Sequence, residues 1–106
     1  MHDERPTWLR EPCPHWCAAE HRQEDHPDDR VHRGASATLA GFIAHGAVPT
    51  EFEEEPAHLV VQVMRPVGGA TTWVEVSEAE GARHRLTVTL ATARDLGRLL
   101  TRIAPR

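Results

Sequence analysis

Cys13-Pro14-His15-Trp16-Cys17-Ala18-Ala19-Glu20-His21, followed by His26 and His32, is the stretch on which the reading of this chain turns. Two thiolates and two imidazoles form the ligand set of a structural zinc site, because Zn2+ takes four such donors tetrahedrally with no geometry imposed by its d-electrons. Three residues separate Cys13 from Cys17, within the range usual for structural zinc. If a helical turn begins at Ala18, Cys17 and His21 stand at i and i+4 on one face, where a single ion reaches both. Pro12 and Pro14 fix φ on either side of Cys13 and lower the entropy of presenting it. The expected ligands are therefore Cys13, Cys17, His21 and His32, with one structural zinc per chain. His26 competes with His21 for the third place, but it precedes Pro27 in an acidic loop. The competing reading of the two cysteines is a disulfide or redox pair. That alternative leaves the histidines unexplained.

The same stretch explains how the first third of the chain could fold. Residues 1–34 hold five of the eight histidines and two of the three tryptophans, yet only Leu9 and Val31 are branched aliphatic residues. A segment so poor in apolar side chains cannot offset its own ordering entropy by burial. A structural zinc contributes on the order of 10–16 kcal/mol of apparent free energy near neutral pH, a contribution large enough to do so.

Outward from that segment, residues 35–106 read as ordinary secondary structure. Residues 36–45 form a first strand, with Leu39 and Ile43 on one face and Phe42 on the other. Residues 48–56, with Glu51, Glu53, Glu54 and Glu55, read as a solvated acidic connection. Residues 58–65 are apolar on both faces and so predict a central strand. Residues 66–69 supply a hairpin turn. A strand over 71–77, a turn over 78–82 and a strand over 83–90 follow, the last with Leu86, Val88 and Leu90 inward. The period then changes to 3.6: Leu96, Leu99, Leu100 and Ile103 form one stripe of an amphipathic helix, capped by Thr92 and ended by Pro105. The expectation is a single α+β domain in two parts. Residues 1–34 are the zinc-binding segment, and residues 35–106 are an antiparallel meander of three or four strands with one C-terminal helix packed across it.

Composition narrows the function. The chain has 106 residues, 16 acidic and 12 basic, for a formal charge of −4, the wrong sign for a general phosphate-backbone binder. Every basic residue is Arg, and Lys and Tyr are absent, which removes a Schiff-base lysine and an acid–base tyrosine. No apolar run approaches the length needed to span a bilayer, and Met1-His2-Asp3-Glu4-Arg5 does not open a secretory signal. A cytoplasmic protein is expected.

The motif Cys13-Pro14-x-Trp16-Cys17, then His21, then Asp29-Arg30-Val31-His32-x-Gly34, resembles a family of small actinobacterial proteins of unknown function. In that family a CP-x-WC–His–His-x-Gly stretch precedes a few strands and a helix that follows an L-T-x-x-[EA]-A-R-x-L pattern. Here Leu90-Ala91-Thr92-Ala93-Arg94-Asp95-Leu96 is a shortened form without the acidic residue in the first turn. The resemblance implies the zinc ligands and a small accessory or regulatory role; it supplies no activity.

Three function classes follow. A zinc-dependent hydrolase would use a Cys2His site with a water ligand and Glu20 or Glu24 as base, but four candidate protein ligands are at hand to close the shell. The run from Pro12-Cys13 lacks both the spacing and the His-x-Glu of zinc deaminases. A nucleic-acid-binding zinc protein conflicts with Glu20, Glu24, Asp25, Asp28 and Asp29, which outnumber Arg22, Arg30 and Arg33 around the site. The expected function is therefore a non-enzymatic regulatory or protein-interaction module. Trp8, Trp16 and Trp73 are its candidate contact residues. The simpler alternatives are that Trp16 covers the metal loop and Trp73 packs beneath the helix. The expected partner is another protein, and an exposed strand edge also allows a homodimer.

Overall fold

In the computed structural model, residues 5–81 and 84–105 are described. The turn expected over 78–82 and the start of the strand expected at 83 fall partly outside them. The elements run β1 (Val31–Arg33), β2 (Ala37–His45), β3 (Glu53–Pro66), β4 (Trp73–Glu78), β5 (Arg85–Thr89) and α1 (Leu90–Ile103). The fold is α+β: a five-stranded antiparallel sheet with one C-terminal helix. β1 and β2 both pair with β3, and β4 and β5 follow on its other side.

β3 is the central strand, as the apolar residues on both faces of 58–65 require. It is longer than expected. Glu53 to Pro56 belong to the strand, where the sequence reading had a solvated connection, and they pair with residues 42–45 of β2. Glu53 and Glu54 are exposed and Glu55 lies 3.9 Å from the His45 imidazole on β2, so charge does not oppose the ladder. Pro56 falls where β3 has β2 alone as its paired neighbour, so a missing N–H need not break a ladder on both sides. Between the two strands Gly46 has φ of 138°, and a Cβ there would lie 2.6 Å from the Glu51 carbonyl oxygen, so this corner requires glycine.

The turn expected at 66–69 is present: the Gly69 N–H donates to the Pro66 carbonyl at 2.8 Å, with Gly68 at φ of 81°. The helix begins earlier than expected. Thr89, with extended φ and ψ, is the cap, and its hydroxyl accepts from the Thr92 N–H at 3.2 Å. Strand β5 runs into the helix without a loop, so the hydroxyl at the strand's last residue meets the first free N–H groups.

Cross-strand register places Val63 opposite Val74, Val61 opposite Val76, and Val76 opposite Leu86, so these residues share one face with Leu39 and Leu59. His32 lies on that face too, opposite Arg65. Burial along the face is uneven. His32 is 0% exposed and Val74 8%, whereas Leu86 is 47% and Leu39 62%. Leu86 is thus exposed rather than inward, and the helix leaves Leu99, Leu100 and Ile103 exposed as well. In α1, Leu90, Ala93 and Leu96 are half-buried, so the helix touches the sheet through its first turns and does not lie across it.

Candidate metal centre

Cys13, Cys17, His21 and His32 come together, with one ligand atom from each lying within 4.8 Å of the others. A tetrahedral zinc with ordinary Zn–S and Zn–N bonds holds its donors about 3.3–3.8 Å apart. The Cys17 Sγ to His21 Nε2 distance is 3.6 Å, inside that interval. His26 is elsewhere: its Nδ1 accepts from the Asp28 N–H at 3.1 Å and caps a short 3-10 turn over Pro27–Asp29. His15 is exposed and outside the cluster.

Each ligand is presented by a different local device. The Cys17 N–H donates to the Pro14 carbonyl at 3.0 Å, closing a four-residue turn that folds Cys17 back toward Cys13. Cys17 then forms a bridge with Gly34, and the Ala18 N–H donates to the Arg33 carbonyl at 2.7 Å. That bond commits the backbone to an extended path, so no helical turn follows Cys17. His21 meets Cys17 because the loop bends, and its ring is held edge-on to Trp8 with centroids 5.6 Å apart. Trp8 is itself fixed, donating from Nε1 to the Arg22 carbonyl at 3.0 Å and lying under the Arg30 guanidinium at 5.0 Å. His32 comes from β1 and meets the His21 ring edge-on, with centroids 5.3 Å apart.

Glu11 is a residue the sequence reading missed. Its carboxylate lies 3.0 Å from His32 Nε2 and 3.7 Å from the Arg65 guanidinium, and accepts from the Gly68 N–H at 2.5 Å. It ties the N-terminal segment to β1, to β3 and to the turn after β3. With Nε2 so engaged, His32 Nδ1 is buried and has no hydrogen-bond partner among the described residues. A buried imidazole nitrogen without a partner is costly unless something accepts its lone pair. A metal ion does so, and a carboxylate on the other ring nitrogen is the usual way a ligating histidine is oriented. A clue lay in the sequence, since Glu11 stands two residues before the first cysteine.

The protonation tendencies divide the donors: without a cation the thiol is held protonated and the imidazole neutral. The Cys13 thiol is pushed above its usual range, first by desolvation and then by the neighbouring Cys17 thiol. A cation between them would reverse that direction, because it favours both thiolates. His21 is pushed below its usual value by desolvation and then by His32, which favours the neutral, ligating imidazole. The Gly68 N–H, followed by His32, holds Glu11 below the ordinary carboxylate range. The residues fit a bound metal ion.

The tryptophans are distributed differently. Trp8 and Trp16 flank the centre, with the Arg65 guanidinium 5.9 Å from the Trp16 ring, while Trp73 lies half-buried on β4 opposite Met64 and Thr89.

A family model described as a domain of unknown function, DUF6907, matches residues 1–105. The chain belongs to the DUF6907 family. No curated protein and no solved structure matches it. Within this DUF6907 chain, no helix among the described residues is long and apolar enough to cross a membrane.

Proposed function

We propose that this DUF6907 chain is a small, non-enzymatic, zinc-stabilised protein whose sheet and helix serve as a regulatory or protein-interaction module. Zinc is the metal of choice for two sulfur and two imidazole donors in tetrahedral array. Cys13 and Cys17 would supply thiolates, His21 its Nε2 and His32 its Nδ1. The ion would neutralise both thiolates and cross-link the turn, the loop and β1. Four protein ligands close the shell, the pattern of a structural rather than a catalytic zinc. Glu11 is engaged by three donors and is not a free base. Thiolate ligation of this kind suits a reducing compartment such as the cytoplasm.

The observation that carries the reading is His32: fully buried, with one ring nitrogen on Glu11 and the other without a partner among the described residues. Protein purified without added zinc is expected to contain about one equivalent per chain by the ligand count. Cys17→Ser should lower that content and speed hydrogen exchange in 5–34 far more than in 58–66. Retention of zinc after replacement of both cysteines would overturn the assignment.

A further inference from the structure

We propose that the partner of this module is a second copy of the same chain, with the distal half of α1 of one copy seated against the open end of the other's sheet. The inference rests on the interaction reading above and names the partner that reading left open. The first argument is area. A compact chain of 11.8 kDa exposes about 5,900 Å², whereas this one exposes 8447 Å², roughly 2,500 Å² more. Its radius of gyration is 17.5 Å, against about 13 Å for a compact fold of this length. An obligate homodimer removes about 1,000–2,500 Å² from each partner, so the excess is of the size that one such interface needs.

The second argument is that the chain carries both halves of the contact. On the sheet, Leu39, Leu59, Val76 and Leu86 share one face, and a shallow groove of about 330 Å³ is lined by Leu59, Val76 and Leu86 together with Ser77, His84 and Arg85, the last two paired with Glu78 and Glu75. On the helix, Leu99, Leu100 and Ile103 are 41%, 53% and 63% exposed. Charge distinguishes the two. The outer part of the β2–β3 hairpin, residues 42–57, carries Glu51, Glu53, Glu54 and Glu55 and no Arg, while α1 carries Arg94, Arg98 and Arg102 against Asp95, which pairs with Arg98. An apolar groove beside an acidic arm and an apolar helix end with basic residues complement each other. A two-fold axis makes such a contact twice, helix to groove and groove to helix.

Sedimentation of the zinc-loaded full chain from about 1 to 100 µM tests this, because a reversible dimer must follow mass action. The expected result is a mass rising to about twice 11.8 kDa. Leu99→Asp with Ile103→Asp, and separately Leu39→Asp with Leu86→Asp, should each return the mass to that of one chain with zinc content unchanged. A wild-type mass that stays at one chain throughout overturns the second copy, and so does a dimer that survives both double variants. Hydrogen exchange then separates the two readings. A monomer with fast exchange over 37–45 and 97–103 keeps the faces available to some other protein. A monomer in which those amides are as protected as those of β4 overturns the interaction reading too.

Discussion

The two ends of the molecule invert what their compositions promise. The N-terminal segment, with almost no aliphatic residues, contributes Leu9 at 7% exposure and the fully buried His32. The strand-and-helix part, rich in Leu, Val and Ile, leaves Leu39, Leu86, Leu99, Leu100 and Ile103 in water. Composition counts the apolar side chains available; it does not say where their partners are. At the first end His32 is covered where four ligand atoms converge. At the other, Leu39, Leu86 and the distal stripe of the helix lie without a second layer over them among the described residues.

Paired truncations test that contrast most strongly. Leu9→Ala is expected to cost about 2–5 kcal/mol, the range for a buried leucine, whereas Leu39→Ala should change the stability of a single chain by no more than about 0.5 kcal/mol. Denaturant titrations at low micromolar concentration with zinc present make the comparison. Equal costs would mean that the arm is covered within one copy. A smaller effect comes from Glu11→Gln. It keeps the shape but removes the charge that orients His32, and a 10–100-fold loss of metal affinity is expected by competition with a chromophoric chelator. An unchanged affinity would make Glu11 a tether of the turn at Gly68 and nothing more. The smallest effect lies at the helix start. Thr89→Ala should destabilise by about 1 kcal/mol and Thr92→Ala by less, read from thermal unfolding.

The sequence made the sheet largely legible because alternation in 58–65 and 71–77 leaves little choice of face, and because residues 66–69 carry turn chemistry. Other features escaped it for identifiable reasons. Glu53–Pro56 reads as loop by charge and proline content, yet an arm bathed in water tolerates both. Thr89 and Thr92 offer the same hydroxyl three residues apart, and only the absence of a loop after β5 selects between them. Leu86 and the helix stripe have the right period, but period gives a face and not its cover. At the candidate centre, residue types identified Cys13, Cys17, His21 and His32 as a group. The route was misjudged: an extended path pinned by Gly34 and Arg33 brings His21 in, not a helical turn. Glu11 was missed because one carboxylate near a cysteine has no spacing rule to mark it.

The junction between β1 and β2 has a consequence for how β2 aligns with its neighbour. Both strands pair along β3, and between them the Gly34 N–H donates to the Val63 carbonyl at 2.8 Å while the Gln62 side chain donates to the Gly34 carbonyl at 3.0 Å. A slip of one residue at that point would turn every side chain of β2 to the opposite surface, exchanging Leu39 and Ile43 for Thr38 and Phe42. The clamp beside Cys17 thus acts as a phase lock, fixing at Gly34 which surface the distant arm displays.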